Sequence, residues 1–414
     1  MQSVAALCVP VMYVVAMRVV AMCVLAMCVV VMYVVVMYVV LGFSPAVIAQ
    51  QYTFEEVAAG LKHQDAGTRL RTIQILKDAD YAEATVPIAT ALTDVDDRVQ
   101  LAAIDAERSL FTTRVIPRKK KVALIVEVRT VAGGDAAATG QLALKARRVP
   151  PELLSGLAVA LRDNNAHVRA EALSLAALLG PVTCAPDVQR ASDSSACDGI
   201  GNGLIDGINS REPVLRRAAM QALGQVRYAN AVQALSDQLS YHQKGADALA
   251  ALEGLSGIGH ATSVSIFEGQ LKSSNADMRR FAVSGLARAG YREALGTIQD
   301  MGQTERNDGV LLAMHYANVK LGAIDASLQQ LVVSLGIPAL RPLALAYLLD
   351  LSTSHAQALA ASLTDPSADI RRLVADILGF SRNPDVIIPL GAAAQESNPD
   401  VAAAAQQAIA RLHL

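Results

Sequence analysis

From Leu363 to Gly379 the chain reads LTDPSADIRRLVADILG. Ile370, Leu373, Val374, Ile377 and Leu378 recur at helical spacing and make one apolar face, with charged residues between them. Ahead of that face, Asp365 and Pro366 suit a tight turn. Ser367 or Asp369 can accept from the unpaired N–H groups of a new helix, and Gly379 is placed to stop it. The stretch predicts the end of one helix, a turn and a second helix. A single pair cannot bury such a face, so it needs neighbours of the same shape.

Those neighbours are present. LRDNNAHVRAEALSLAALLG runs from Leu161 to Gly180, and LKSSNADMRRFAVSGLARAG from Leu271 to Gly290. LTDVDDRVQLAAIDAERSL begins at Leu92 with Gln100 where arginine is expected, and VLRRAAMQALG (Val214 to Gly224) keeps the second half. The slot filled by Arg371 can be followed as Arg69, Gln100, Arg169, Arg216, Asp247, Arg279, Leu311, Arg341, Arg371 and Ala402, and from Arg216 onward each step is 30 to 32 residues. A period in that range marks a solenoid.

The pattern resembles the HEAT-repeat family in its short bacterial form, the HEAT-like or phycobilisome-lyase-type repeats, over about Tyr52 to Leu414. The resemblance implies an all-α solenoid of about ten helix pairs. It implies an arginine ladder between successive repeats, which gives Arg169, Arg216, Arg279 and Arg371 a structural role; Asp94, Asp163 and Asp365 are turn residues that satisfy N–H groups of the next helix. It also implies that second helices line the concave side. The second members of the doublets Arg216–Arg217, Arg279–Arg280 and Arg371–Arg372 then reach that groove. Arg217, Arg280 and Arg372 are either solvated or a basic strip for an acidic partner segment.

Two stretches interrupt the array. Residues 112–149 contain VALIVEVRT, rich in β-branched residues, and the alternating QLALKAR, which read as a two-stranded insert or a loop. The cluster Arg118, Lys119, Lys120 and Lys121 opens it and Arg147–Arg148 closes it. The cluster is either a solvated run or a docking point for an acidic partner or anionic lipid heads. Residues 181–199 form a Ser-, Asp- and Pro-rich loop with Cys184 and Cys197, which most simply close it as a disulfide outside the cytosol. GIGNG (Gly199 to Gly203) reads as a flexible helix lead-in. The organisation is a leader over 1–49, repeats over 50–111, the first insert, and repeats over 150–414.

In the leader Met12, Met17, Met22, Met27, Met32 and Met37 recur every five residues, a spacing that builds no amphipathic helix face. Arg18 is its single charge. Met17–Arg18 opens a signal peptide cleaved after Ala49. The competing reading is a retained anchor, because the apolar run 19–41 is long enough to span a bilayer. Both export the remainder to the periplasm or beyond.

Composition narrows function. Hydrophobic residues are 53% but aromatics only 4% with no Trp, so Ala and Leu carry closely packed helices. The 36 basic and 38 acidic residues argue against a general nucleic-acid binder. No two of the seven histidines lie three or four residues apart, so no helix offers a metal pair. No serine sits in a nucleophile-elbow pattern. The expectation is a non-enzymatic scaffold of the bacterial cell envelope, without cofactor or metal, that binds another protein along its concave face. The membrane would be met only through an uncleaved leader. The alternative is a lyase-type protein acting on a chromophore or another protein modification.

Overall fold

The computed structural model describes residues 53–113, 140–184, 194–322 and 325–413. Within them twenty α-helices follow one another as ten pairs. The first five pairs are α1 (Phe54–Ala59) with α2 (Ala66–Ala79), α3 (Thr85–Thr90) with α4 (Asp97–Phe111), α5 (Pro151–Ala160) with α6 (Ala166–Thr183), α7 (Ser194–Gly207) with α8 (Pro213–Val226), and α9 (Val232–His242) with α10 (Gly245–Ile258). The next five are α11 (Val264–Gln270) with α12 (Ala276–Arg288), α13 (Leu295–Gly302) with α14 (Asp308–Lys320), α15 (Asp325–Ser334) with α16 (Arg341–Leu351), α17 (Ala356–Ala360) with α18 (Ala368–Leu378), and α19 (Ile387–Ala393) with α20 (Pro399–Leu412). Val57–Leu414 forms one compact unit. The protein is an all-α solenoid.

The helices form where the pattern places them. In α18, Ile370, Leu373, Val374, Ile377 and Leu378 are all buried, each contributing roughly 1.5–3 kcal/mol of apolar burial. Ser367 is the cap, its side chain accepting from the Ile370 N–H. Asp96, Asn165, Asn275 and Asn398 cap α4, α6, α12 and α20 in the same way. At the first helix Thr53 and Glu56 exchange hydrogen bonds of 2.8 and 3.3 Å, a reciprocal capping box. The second helices stack on one another, α8 on α10, α10 on α12 and α12 on α14 among them. This buries the face that no pair hides alone.

Two expectations need correction, and one is refined. Helix α18 does end at Leu378 with Gly379 next, but at φ −60° rather than in a left-handed backbone. A Cβ there would sit 2.9 Å from the Ala408 backbone, so glycine is needed to let α18 approach α20. Gly290, at φ 69°, is the closing glycine that does use left-handed freedom. The loop expected over 181–199 is shorter. Helix α6 continues through Pro181 to Thr183 and α7 begins at Ser194, so GIGNG lies inside a helix. Cys184 and Cys197 are joined by a disulfide across the two helix ends. In the first insert, QLALKAR is not a strand: 140–143 is a 3-10 turn, and Leu144 makes one isolated antiparallel bridge with Thr112. VALIVEVRT and Arg118 to Lys121 lie outside the described residues, as does the leader. No helix of the described residues is long and apolar enough to cross a membrane.

The last pair, α19 and α20, does not leave a free end. Instead α20 meets the segment that follows the insert. The Arg411 Nη2 donates to the carbonyl oxygens of Leu142 (3.2 Å) and Leu144 (2.6 Å), and Gln407 Nε2 donates to Leu144 O at 3.2 Å. That segment is itself tied to the end of α4 by Thr113 N to Ala143 O at 2.8 Å and Lys145 N to Phe111 O at 2.7 Å. Lys145 and Arg147 also grip Asp80 at the end of α2. The array therefore closes on itself.

Candidate functional site: a cationic cavity inside the closed array

Two sets of polar side chains recur along the second helices, at opposite ends. The first is the ladder. Arg69 donates Nε and Nη2 to Asp94 of the next repeat at 2.7 Å each, and its Nη1 to the carbonyl oxygens of its own turn, His63 and Gln64, at 2.8 Å. Gln100 replaces arginine and reaches Asp163 at 3.0 Å. Arg216 pairs with Asp247, Arg279 is bidentate to Glu305 at 2.8 and 3.0 Å, Arg341 meets Asp369 at 3.0 Å, and Arg371 is bidentate to Glu396. Arg169 Nη1 donates to the carbonyl oxygens of Asp163 and Asn164 at 2.8 and 2.9 Å. Asp94, Asp163 and Asp365 also accept from the N–H two residues on. Hydrogen bonds from Arg279 hold the Glu305 carboxyl down at about 2 despite partial burial.

The second set lies nine residues further along each helix: Leu178, Gln225, Ser256, Arg288, Lys320, Asp350, Phe380 and Arg411. Nine residues are about two and a half turns, so this slot sits on the opposite side of the helix from the ladder and near its C-terminal end. All of these but Ser256 and Arg411 line a cavity of about 1250 Å³. Walls come from α4, α6, α8, α10, α12, α14 and α16, from the bridge at Thr112–Thr113 and 140–143, and from Phe380 and Arg382 after α18. Among the described residues the lining carries six cations, Arg108, Arg227, Arg280, Arg288, Lys320 and Arg382, against Glu253 and Asp350.

Asp350 organises the wall. It accepts from the Tyr316 hydroxyl, from Arg227 and, at 3.3 Å, from Arg288 Nε, while Lys320 Nζ stands 3.5 Å away. Its side chain is only 4% exposed. Burial disfavours its charge, but Arg288, Arg227 and Lys320 outweigh that and hold it far below the usual carboxylate range. Tyr316 and Tyr347 stack with centroids 4.4 Å apart, and the Arg288 guanidinium lies 5.3 Å from the Tyr316 ring centre. Ser284 and Tyr347 share a 2.6 Å hydrogen bond. Burial raises the Glu253 carboxyl above its ordinary value, with Gln221 as a partial counterweight. Where the array closes, burial raises Asp376 to about 6, opposed by Arg411 and Arg372.

Of the three arginines singled out from the sequence, Arg280 lines the cavity, lying over the Phe281 ring at 4.0 Å and bonding Asp277 at 3.0 Å. Arg217 shares Asp247 with Arg216, and Arg372 pairs with Asp369 on its own helix; neither is part of the lining. Sequence reasoning missed Arg227, Lys320, Asp350 and the two tyrosines. A signal existed. Arg288, Lys320 and Asp350 are separated by 32 and 30 residues, and Tyr316 and Tyr347 by 31, all within the repeat period. Asp350 is also the lone charge at the end of the otherwise apolar LALAYLLDL. Arg227 and Arg382 hold left-handed backbones, φ 56° and 53°, where glycine is the cheaper residue. Among the described residues no group of His, Cys, Asp or Glu is placed to hold a metal ion.

The fold defines the class: an α-solenoid built from helix pairs. No family model matches the chain, and no curated protein matches it. Among solved structures it is similar to an engineered protein (15% identity, TM-score 0.39, 87% of this chain and 98% of that one). It is also similar to the complex of CpcE and CpcF of phycocyanin lyase from a Nostoc species (19%, 0.38, 64% and 95%). A third is the karyopherin Kap121p bound to the extreme C-terminus of the protein phosphatase Cdc14p (14%, 0.33, 86% and 41%). Likenesses of this size speak to neither activity nor partner, and the repeat class stands on the ten pairs themselves.

Proposed function

We propose that the chain is a non-enzymatic binding protein of the bacterial cell envelope whose closed array holds an acidic segment of another protein in its cavity. The observation that carries this reading is the charge of the described lining: six cations face two carboxylates, and although Arg108 and Arg280 are paired with Glu171 and Asp277 beside it, an excess of positive charge remains in a chain whose net charge is −2. The volume also supports it, since about 1250 Å³ exceeds the roughly 300–1,000 Å³ of ordinary small-molecule sites and suits a stretch of chain. The described lining contains no histidine or cysteine, and Ser284 is engaged with Tyr347 and the Arg280 carbonyl oxygen, which favours binding over a lyase-type reaction. Export rests on the leader, whose cleavage after Ala49 is checked by N-terminal sequencing of the mature protein.

The test is fluorescence anisotropy of short acidic peptides with the full mature chain, beside basic peptides of equal length. The acidic peptides bind, and binding weakens as salt shortens the screening length from about 30 Å at 0.01 M to about 8 Å at 0.15 M. Equal binding of basic and acidic peptides, or none, overturns the reading.

A further inference from the structure

Asp350 is outnumbered, and unevenly. Its Oδ2 takes the Tyr316 hydroxyl and Arg288 Nε. Arg288 is the deeper cation: its side chain is 16% exposed, and Nη1 also donates to the Ser256 carbonyl oxygen at 3.1 Å. The Oδ1 faces Arg227 and Lys320, whose side chains are 31% and 26% exposed. Both residues line the cavity. Arg227 bonds Asp350 through Nη2, and Lys320 stands 3.5 Å off without a short hydrogen bond. The inner half of the cluster is thus held by partners, and the outer half turns two cationic groups to the cavity. Three cations share one carboxylate in a half-buried wall, and Glu253, the other carboxylate of the described lining, acts on Arg288 and Arg280 rather than on Arg227 or Lys320, so those two have only the shared Asp350, an imbalance that desolvation makes unfavourable.

We propose that Arg227 and Lys320 form an anchor for two neighbouring carboxylates on the bound acidic segment, one carboxylate on the guanidinium and one on the ammonium. This rests on the reading of the cavity as the seat of an acidic segment. Two adjacent carboxylates give each of these two cations an anion of its own. Of the other lining cations, Arg108 pairs with Glu171 and Arg280 with Asp277, so the anchor is carried by Arg227 and Lys320. No part of this chain outside the described residues offers such a pair. Residues 1–52 carry only Arg18; residues 114–139 carry six basic and two well-separated acidic side chains; in 185–193 Asp187 and Asp193 lie six apart. The proposed occupant is a segment of a partner protein. Arg227 sits at φ 56°, a backbone that glycine adopts without strain, so Arg227→Gly removes the cation while keeping the turn.

The experiment uses the full mature chain, with circular dichroism to show that Lys320→Gln and Arg227→Gly fold. Titration calorimetry compares an Asp-Asp-containing peptide with one of equal composition whose acids are separated by glycines; succinate and inorganic phosphate are tested by thermal shift. The paired peptide binds about ten-fold more tightly than the separated one, and each variant removes that about ten-fold advantage, the size of one half-buried ion pair. Succinate raises the melting temperature of the wild type and of neither variant. If both peptides bind alike and the variants do not change either, the anchor is wrong and the acidic-segment reading survives. If neither peptide binds but succinate still distinguishes wild type from variants, the anchor stands and the segment reading falls. If phosphate stabilises and succinate does not, the site takes a phosphate group and the carboxylate assignment is overturned.

Discussion

The ladder and the cavity wall use the same chemistry, guanidinium on carboxylate, at two ends of the same helices, and they are built oppositely. At the ladder Arg69, Arg216, Arg279, Arg341 and Arg371 each meet a carboxylate of an adjoining repeat, 25 to 31 residues away, and several also bind carbonyl oxygens of their own turn. Charge is met locally, between neighbouring repeats. At the wall one carboxylate gathers three cations and a tyrosine from α8, α12 and α14, with Arg227 contributed from 123 residues away. Neighbour-to-neighbour pairing holds stacking register. The convergent cluster instead pins non-adjacent repeats together and leaves charge over for a ligand.

The comparison breaks most sharply at Asp350. Asp350→Ala leaves Arg227, Arg288 and Lys320 without their shared anion and is expected to lose about 3–5 kcal/mol in urea unfolding, the usual cost of breaking a buried pair. Glu305→Gln removes one rung and lowers the midpoint by less. Equal losses would mean that the two regions are energetically alike. The closure comes next. Arg411→Met strips the Leu142 and Leu144 carbonyl oxygens of a buried donor, for an expected loss of about 1–3 kcal/mol, with a larger radius of gyration in small-angle scattering. An unchanged radius would show that the array stays closed without it.

The smallest effects are in pH, and they have opposite signs. Glu305 titrates at about 2 in the fold, below its ordinary value near 4.3. Its contribution is present above that ordinary value and is lost as pH falls through about 2. Asp376 titrates at about 6, above its ordinary value near 3.9. Its contribution is present below pH 4 and is lost as pH rises through about 6. Thermal melts across pH 2 to 7 should show Glu305→Gln flattening the acid limb and Asp376→Asn flattening the slope between about pH 4 and 6. The reverse assignment would refute the cause given for each shift.

The ladder was legible from Leu363 to Gly379 onward because its residues contact the next repeat, so their spacing equals the period. The helices were legible for the same reason: an apolar face at helical spacing needs no knowledge of distant chain. Closure was not. Arg411 reaches Leu142 across 269 residues, and no local pattern encodes a contact at that range. The alanine-rich final helix gives no sign of it, because Gln407 and Arg411 look like ordinary solvated side chains. Why Gly379 has to be glycine was not legible either. A glycine excused by crowding from α20 is indistinguishable in sequence from one that ends a helix by its backbone. The cavity slot was partly legible, since Arg288, Lys320 and Asp350 keep the period, but their meaning depends on walls that only the curvature of the array brings together.

The hydrogen bonds from Arg411 to the start of the array also fix a number. An open solenoid tolerates gain or loss of a module, because each end simply moves along the axis. Here the last helix must land on Leu142 and Leu144, and one internal module more or fewer would carry it past or short of them. Duplication and deletion, the ordinary ways in which such genes change length, are therefore closed to the span between α5 and α20, and variation is left to the loops.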